Sequence, residues 1–182
     1  VEHFVKSGNG WTVRIRQAVH WRRPTVSLCG YERTGQVKIA VHQMTSGINP
    51  ANNVTEMVRV IRELAESGAS FYFAPEMSLL LDRDRNRAAS SISIESENPY
   101  LPLLASAAAD CGIWLHLGSL PVLHEDGSGR YANRTVLIND HGVIRARYDK
   151  MHLFDVDLST GESWRESSAY RPGDAAVLAD TP

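Results

Sequence analysis

The sequence predicts an α/β fold, a mixed sheet with helices on one face, and three observations predict it. Residues 37–78 read β–α–β, the signature of two parallel strands bridged by a crossover helix. A second helical stretch and another strand follow over residues 99–123. From there to residue 154 the pattern changes to strands joined by glycine turns, which is how antiparallel neighbours are connected.

Each element has its own signal. VKIAVHQM (37–44) is β-rich and mostly apolar, and Gly47, Asn49 and Pro50 mark the turn that ends it. Asn52 or Asn53 then offers a cap for a helix whose apolar residues Val54, Met57, Val58, Ile61, Leu64 and Ala65 follow steps of three and four, up to Gly68. SFYFAPEMS (70–78) is the second strand, closed by Pro75. The polar stretch with Asp82, Arg83, Asp84, Arg85 and Arg87 reads as a solvated loop or helix face. Pro99 opens a helix over residues 99–112 with Gly112 as its stop. IWLHLGSLPVL (113–123), ANRTVLIND (132–140) and VIRARYDKMHLF (143–154) read as strands, separated by turns at Gly127, Gly129 and His141-Gly142. The remaining residues read as loop until DAAVLAD (174–180), a last strand. No further helix is available for the second face of such a sheet, so half of the fold is expected to be missing from this chain.

Bulk properties narrow the function classes. A chain of 182 residues with 43 % hydrophobic and 22 % charged residues and a net charge of -2 has room for one globular domain, and it is not basic enough to suggest nucleic acid. A small-molecule substrate is the better expectation. Residues 1–36 stand apart, with six Lys or Arg against two acids, whereas residues 37–182 carry 13 against 19. This segment is read as a loosely ordered basic extension with a brief strand-like alternation at Val13-Arg14-Ile15-Arg16, or alternatively as an arm for an acidic partner. Cys29 and Cys111 form no C-x-x-C pair, which speaks against a disulfide framework or zinc knuckle and for a reducing cytoplasm. No apolar run has the length of a membrane helix, and no signal-peptide stretch is present at the start.

Two residues stand out as candidate chemistry. Glu76 lies at the C-terminal edge of a strand in a β–α–β unit, where partial desolvation would raise its pKa and suit it to act as a general base. The plainer reading is a turn cap or an arginine partner. Lys150 ends another strand in YDKMHLFD and could stabilise an oxyanion, or could simply pair with Asp149 at the surface. His116 alternates with Leu115 and Leu117 and reads as a core or interface side chain. The groups at His124-Glu125-Asp126 and around His152 have no metal-ligand spacing, and no cofactor is expected.

Taken together, VKIAVHQM, FYFAPEMS, NRTVLIND followed by YDKMHLFDVDL, and GESWRESSAYRPGD (161–174) resemble, in order and spacing, the carbon-nitrogen hydrolases (the nitrilase-like family), especially their Nit-type amidase branch. The resemblance covers about residues 37–182. It implies an α-β-β-α sandwich that often dimerises, here incomplete, and a Glu–Lys–Cys triad assisted by a second glutamate. Glu76 would be the general base, Lys150 the oxyanion holder and Glu166 the supporting carboxylate. The family's nucleophilic cysteine would fall roughly ten residues beyond Pro182, and neither Cys111 nor Cys29 replaces it. The implied activity is hydrolysis of small carboxylate-bearing amides such as deaminated glutathione or ω-amides, in a chain that is by itself inactive. The alternative is a binding or scaffold role without catalysis; a metal-dependent hydrolase is a more distant third.

Overall fold

The structure, a computed structural model, describes residues 37–182 and, ahead of them, only the antiparallel pairing of β1 (Lys6–Ser7) with β2 (Gly10–Trp11). The expectations about the basic extension, the strand at residues 13–16 and Cys29 lie outside the described residues. Strands β3 (Ile39–Val41), β4 (Phe71–Phe73) and β5 (Trp114–His116) pair in parallel, in that order. Helix α1 (Pro50–Glu66) crosses over between β3 and β4, and the short α2 (Arg85–Ala89) and α3 (Leu101–Cys111) lie between β4 and β5. The sheet then turns antiparallel: β6 (Leu120–Leu123), β7 (Tyr131–Ile138) and β8 (Ile144–Asp149). One edge of β7 pairs with β6 and, further along, with β5, and the opposite edge pairs with β8.

Local chemistry sets the element ends. Pro50 occupies the first turn of α1, and the Asn49 side chain accepts from the Asn52 N–H, so the cap lies earlier than Asn52 or Asn53. Asn53 has another task. Buried, it donates to the carbonyls of Gly47 and Leu79 at 2.9 and 2.8 Å and ties both loops to the helix. Helix α3 starts at Leu101 because Asn98 accepts from the N–H groups of Tyr100 and Leu101, and it stops where Gly112 takes a left-handed φ of 60°. The polar stretch around Asp84 forms α2, capped by that aspartate.

The 113–123 segment is not one strand. It breaks into β5 and β6 at Leu117–Ser119, where Gly118 has φ 64° and lies so close to the preceding loop that a Cβ would meet the Pro75 carbonyl oxygen at 1.9 Å. The strand expected over residues 143–154 ends at Asp149, and beyond residue 154 the structure departs from the expected loop. β9 (Asp155–Asp157) and β10 (Ser163–Arg165) form a hairpin, followed by a 3₁₀ turn, Glu166–Ser168. Residues 174–180 form no strand. They have no ladder partner, and Leu178 is fully exposed, so an apolar run alone does not make a strand where no sheet edge receives it.

The core lies between the helices and one face of the sheet. Met57, Ile61, Leu104 and Ala108 meet Tyr72, Leu115, Val136 and Ile138, all with no measurable exposure. The opposite face carries a row of rings, Phe71, Phe73, Trp114 and His116, with centroids 5.2–5.6 Å apart. This alternation is the period-two consequence of strand geometry, and it leaves α1 and α3 on one face, as expected. Ile61→Ala is expected to lower the unfolding free energy by about 2–5 kcal/mol in urea titration, the cost of an aliphatic cavity in a close-packed core.

Candidate active site

Segments far apart in sequence deliver the charged groups. β4 ends at Phe73 and the chain turns at Pro75, so Glu76 stands past the C-terminal edge of the parallel strands, where open α/β sheets place ligands. β8 ends at Asp149, and Lys150 follows directly. Glu166 opens the 3₁₀ turn after β10. The structure brings all three together: Lys150 Nζ donates to Glu76 Oε1 at 2.9 Å and to Glu166 Oε2 at 2.9 Å.

A fourth residue joins them that the sequence reading did not single out. Asn133, buried on β7, donates through Nδ2 to Glu76 Oε1 at 2.8 Å and to Glu166 Oε1 at 3.0 Å, while its carbonyl accepts from the Lys150 N–H at 2.9 Å. A signal was available, because asparagine is depleted in strand interiors and Asn133 stands among β-formers in NRTVLIND.

The plainer reading of Lys150, a pair with Asp149, does not hold. Asp149 faces Arg134 across the β7–β8 ladder, and Arg134 grips it at 2.7 and 2.9 Å while reaching Glu95 at 3.0 Å. Such two-pronged contact is strong and geometrically exacting, and it fixes the register that sets Asn133 beside Lys150. The Glu166 turn is held as firmly. Arg130 donates to the carbonyls of Ser167 and Tyr170, Arg85 donates to the Arg165 carbonyl at 2.8 Å, and the Phe154 N–H donates to Glu166 Oε2 at 2.6 Å. Gly173 completes the enclosure, donating to the Lys150 carbonyl at 3.0 Å, in a place where a Cβ would lie 2.2 Å from the Asp149 carbonyl oxygen.

Burial differs among the three charges. The side chains of Glu76, Lys150 and Glu166 are 60 %, 27 % and 14 % exposed, so Glu76 is more open to solvent than its place at the strand end leads one to expect. Glu76 stands on a loop past the end of β4, whereas Glu166 follows the β9–β10 hairpin and accepts from the Phe154 N–H just before it. Burial pulls the Lys150 pKa down, but hydrogen bonds and charge from Glu76 and Glu166 outweigh it and leave the pKa above the ordinary lysine value. Burial pushes Glu166 up, and the donors Asn133, Phe154 and Lys150 together hold it below the ordinary glutamate value.

Hydrogen-bond capacity separates the roles these groups can play. Both oxygens of Glu166 accept donors, so this carboxylate is committed to holding others in place. Glu76 accepts only through Oε1 among the described residues, which leaves Oε2 to take a proton. An ammonium has three N–H groups, and two of those on Lys150 are engaged, so the third can meet a developing oxyanion. Cys111 lies in a different place, at the last residue of α3, where burial pushes its thiol pKa up rather than down. Among the described residues no three His, Cys, Asp or Glu side chains gather as a metal site, and no helix is long and apolar enough to cross a membrane.

The profile of the carbon-nitrogen hydrolases matches residues 38–182 of this sequence. The chain belongs to the carbon-nitrogen hydrolase family. Among the relatives of this chain are the deaminated glutathione amidase of Yersinia enterocolitica, 32 % identical over 147 residues that make up 79 % of this chain and 50 % of that protein, and the omega-amidase NIT2 of Homo sapiens, 31 % identical over 80 % of this chain and 51 % of that one. The chain thus spans about half the length of the curated relatives it matches. In three dimensions it is similar to the NitFhit protein of C. elegans, with a TM-score of 0.65 and 28 % identity over 76 % of this chain and 34 % of that one. A crystal structure of an amidase from Nesterenkonia sp. shares the fold at a TM-score of 0.62 and 24 % identity, over 79 % and 51 % of the two chains. The mixed sheet with helices on one face is therefore part of the nitrilase-superfamily fold.

The shifted pKa values make stability depend on pH in a defined direction. Glu166, lowered in the folded chain, contributes stability that is present above its unfolded pKa and lost as pH falls through its folded one; Lys150, raised, contributes stability that is complete below its unfolded pKa and lost as pH rises through its folded one. Comparing Glu166→Gln with the parent protein in urea titrations across pH should show the largest deficit near neutral pH. The deficit should close as the pH falls below the ordinary glutamate value of 4.5.

Proposed function

We propose that this chain carries the general base and the oxyanion-holding part of an amide-cleaving hydrolase that works with a thiol nucleophile. The observation that carries the reading is Lys150 Nζ at 2.9 Å from both Glu76 and Glu166, with Asn133 bridging the two carboxylates. A base with a free oxygen, a cation with a free N–H and a carboxylate spent on orientation are the groups that covalent acyl transfer needs around a thiolate.

In this reading Glu76 takes the thiol proton as sulfur attacks the amide carbon. The carbonyl oxygen gains the negative charge and is met by Lys150. The tetrahedral adduct collapses as Glu76 returns the proton to nitrogen, which leaves as ammonia from a primary amide or as an amine from a secondary one, and an acyl thioester remains. Glu76 then draws a proton from water, the hydroxide adds to the thioester, and the carboxylate product leaves with regeneration of the thiol. Glu166 holds Lys150 along this course. A reducing cytoplasm suits such a thiol, and no metal or cofactor enters the scheme. A homodimer is in keeping with the family.

The relatives' names, deaminated glutathione amidase and omega-amidase, support deaminated glutathione or an ω-amide as the substrate, in line with the small carboxylate-bearing amides that the motifs imply. The test is turnover by the full-length protein, read as ammonia release from an ω-amide and as release of the cysteinylglycine amine from deaminated glutathione. Glu76→Gln is expected to lower kcat by about 10²–10⁴-fold, and Lys150→Met by about 10²–10³-fold. Retention of kcat within tenfold in Glu76→Gln would remove that residue as the base, and a full-length protein inert towards both amides would favour a binding role instead.

A further inference from the structure

Glu76 reaches Lys150 from a loop whose backbone is unusual at the next residue. Met77 has φ 55°, and among the described residues it is the one non-glycine with positive φ. An L side chain in this region crowds its own backbone, so a methionine stays there only if its surroundings hold it. Three hydrogen bonds supply that hold. The Met77 N–H donates to Ser119 Oγ at 2.9 Å, the Ser78 N–H donates to the Ser119 carbonyl at 2.9 Å, and Ser78 Oγ donates to the Leu117 carbonyl at 2.6 Å. Ser119 and Ser78 are both buried, so these bonds are not replaced by water. On the other side of Glu76, the Pro75 carbonyl packs closely against Gly118, where a Cβ would stand 1.9 Å from its oxygen. The loop that carries Glu76 therefore rests on the Leu117–Ser119 break between β5 and β6.

We propose that Ser119 is a positioning residue for Glu76: its hydroxyl holds the Met77 N–H, keeps Met77 left-handed, and so turns the Glu76 carboxylate toward Lys150 and Asn133. Ser119 touches neither reacting atoms nor the charged groups. It acts through the backbone of the residue after the base, and the break in the β5–β6 strand exists to present it. The proposal rests on the reading of Glu76 as the general base.

The test uses the full-length protein and three variants. Ser119→Ala removes the acceptor, and its kcat is expected to fall by about 10²-fold with KM little changed, the loss that an ångström-scale misplacement produces. In Ser119→Ala combined with Met77→Asn, the asparagine enters the left-handed region readily without help. That pair is expected to regain most of the kcat of Met77→Asn alone. A merely structural role for Ser119 predicts no rescue from position 77, so a double variant as slow as Ser119→Ala overturns the proposal, as does a Ser119→Ala protein with kcat within threefold of the parent. Should Ser119→Ala fail to fold, Met77→Val disfavours the same backbone conformation from the other side, and unchanged kcat there overturns it equally. Crystal structures of the variants give a readout independent of turnover. The Glu76–Lys150 contact should open in Ser119→Ala and re-form in the double variant, which decides the proposal even if the parent protein proves inert towards amides.

Discussion

Strand β7 takes ladder hydrogen bonds along both edges, and each charged group of the site is held relative to it. Its Asn133 reaches two carboxylates with the side chain and the Lys150 backbone with its carbonyl. Its neighbour Arg134 locks Asp149, and so the β8 register, one residue before Lys150. Side chains alternate along a strand, so a slip of one residue would send Asn133 to the other face and separate the lysine from both glutamates. The two-pronged arginine contact therefore serves the site although it makes no contact with it.

The site is a small electrostatic balance. Two carboxylates brought near one ammonium repel each other unless donors lie between them, and Asn133 supplies those donors without adding charge. The asymmetry of exposure then divides the labour. Glu166, covered and accepting donors on both oxygens, is held ionised and in place, whereas Glu76, exposed, accepts through Oε1 alone among the described residues, which suits the base proposed for it. The positive φ at Met77 belongs with this asymmetry, since the proposed base stands beside a constrained backbone position rather than in a buried one.

Much of this was legible from the sequence by simple means. The β–α–β order, the helices on one face and the switch to antiparallel strands follow from hydrophobic period, proline and glycine, because these report local backbone preference and which side of an element meets the core. Glu76 and Lys150 were visible as polar residues at the ends of apolar strands, and Glu166 came through likeness of motif. The shift of the α1 cap to Asn49, the break at Gly118 and the β9–β10 hairpin were not visible, since each depends on contacts with distant segments or on strands too short to show a period.

What the sequence determined by itself is the set of elements, their order and the chemistry available at their ends. Tertiary structure decided which ends meet: that Lys150 turns to Glu76 and Glu166 rather than to Asp149, that Asn133 belongs with them, that Glu76 stays exposed, and that residues 174–180 form no strand. The physical reason is range. Propensity and periodicity act over a few residues, whereas the Glu76–Lys150 contact closes a separation of 74 residues and exists only when the β7 register and the break beneath the Glu76 loop are both in place.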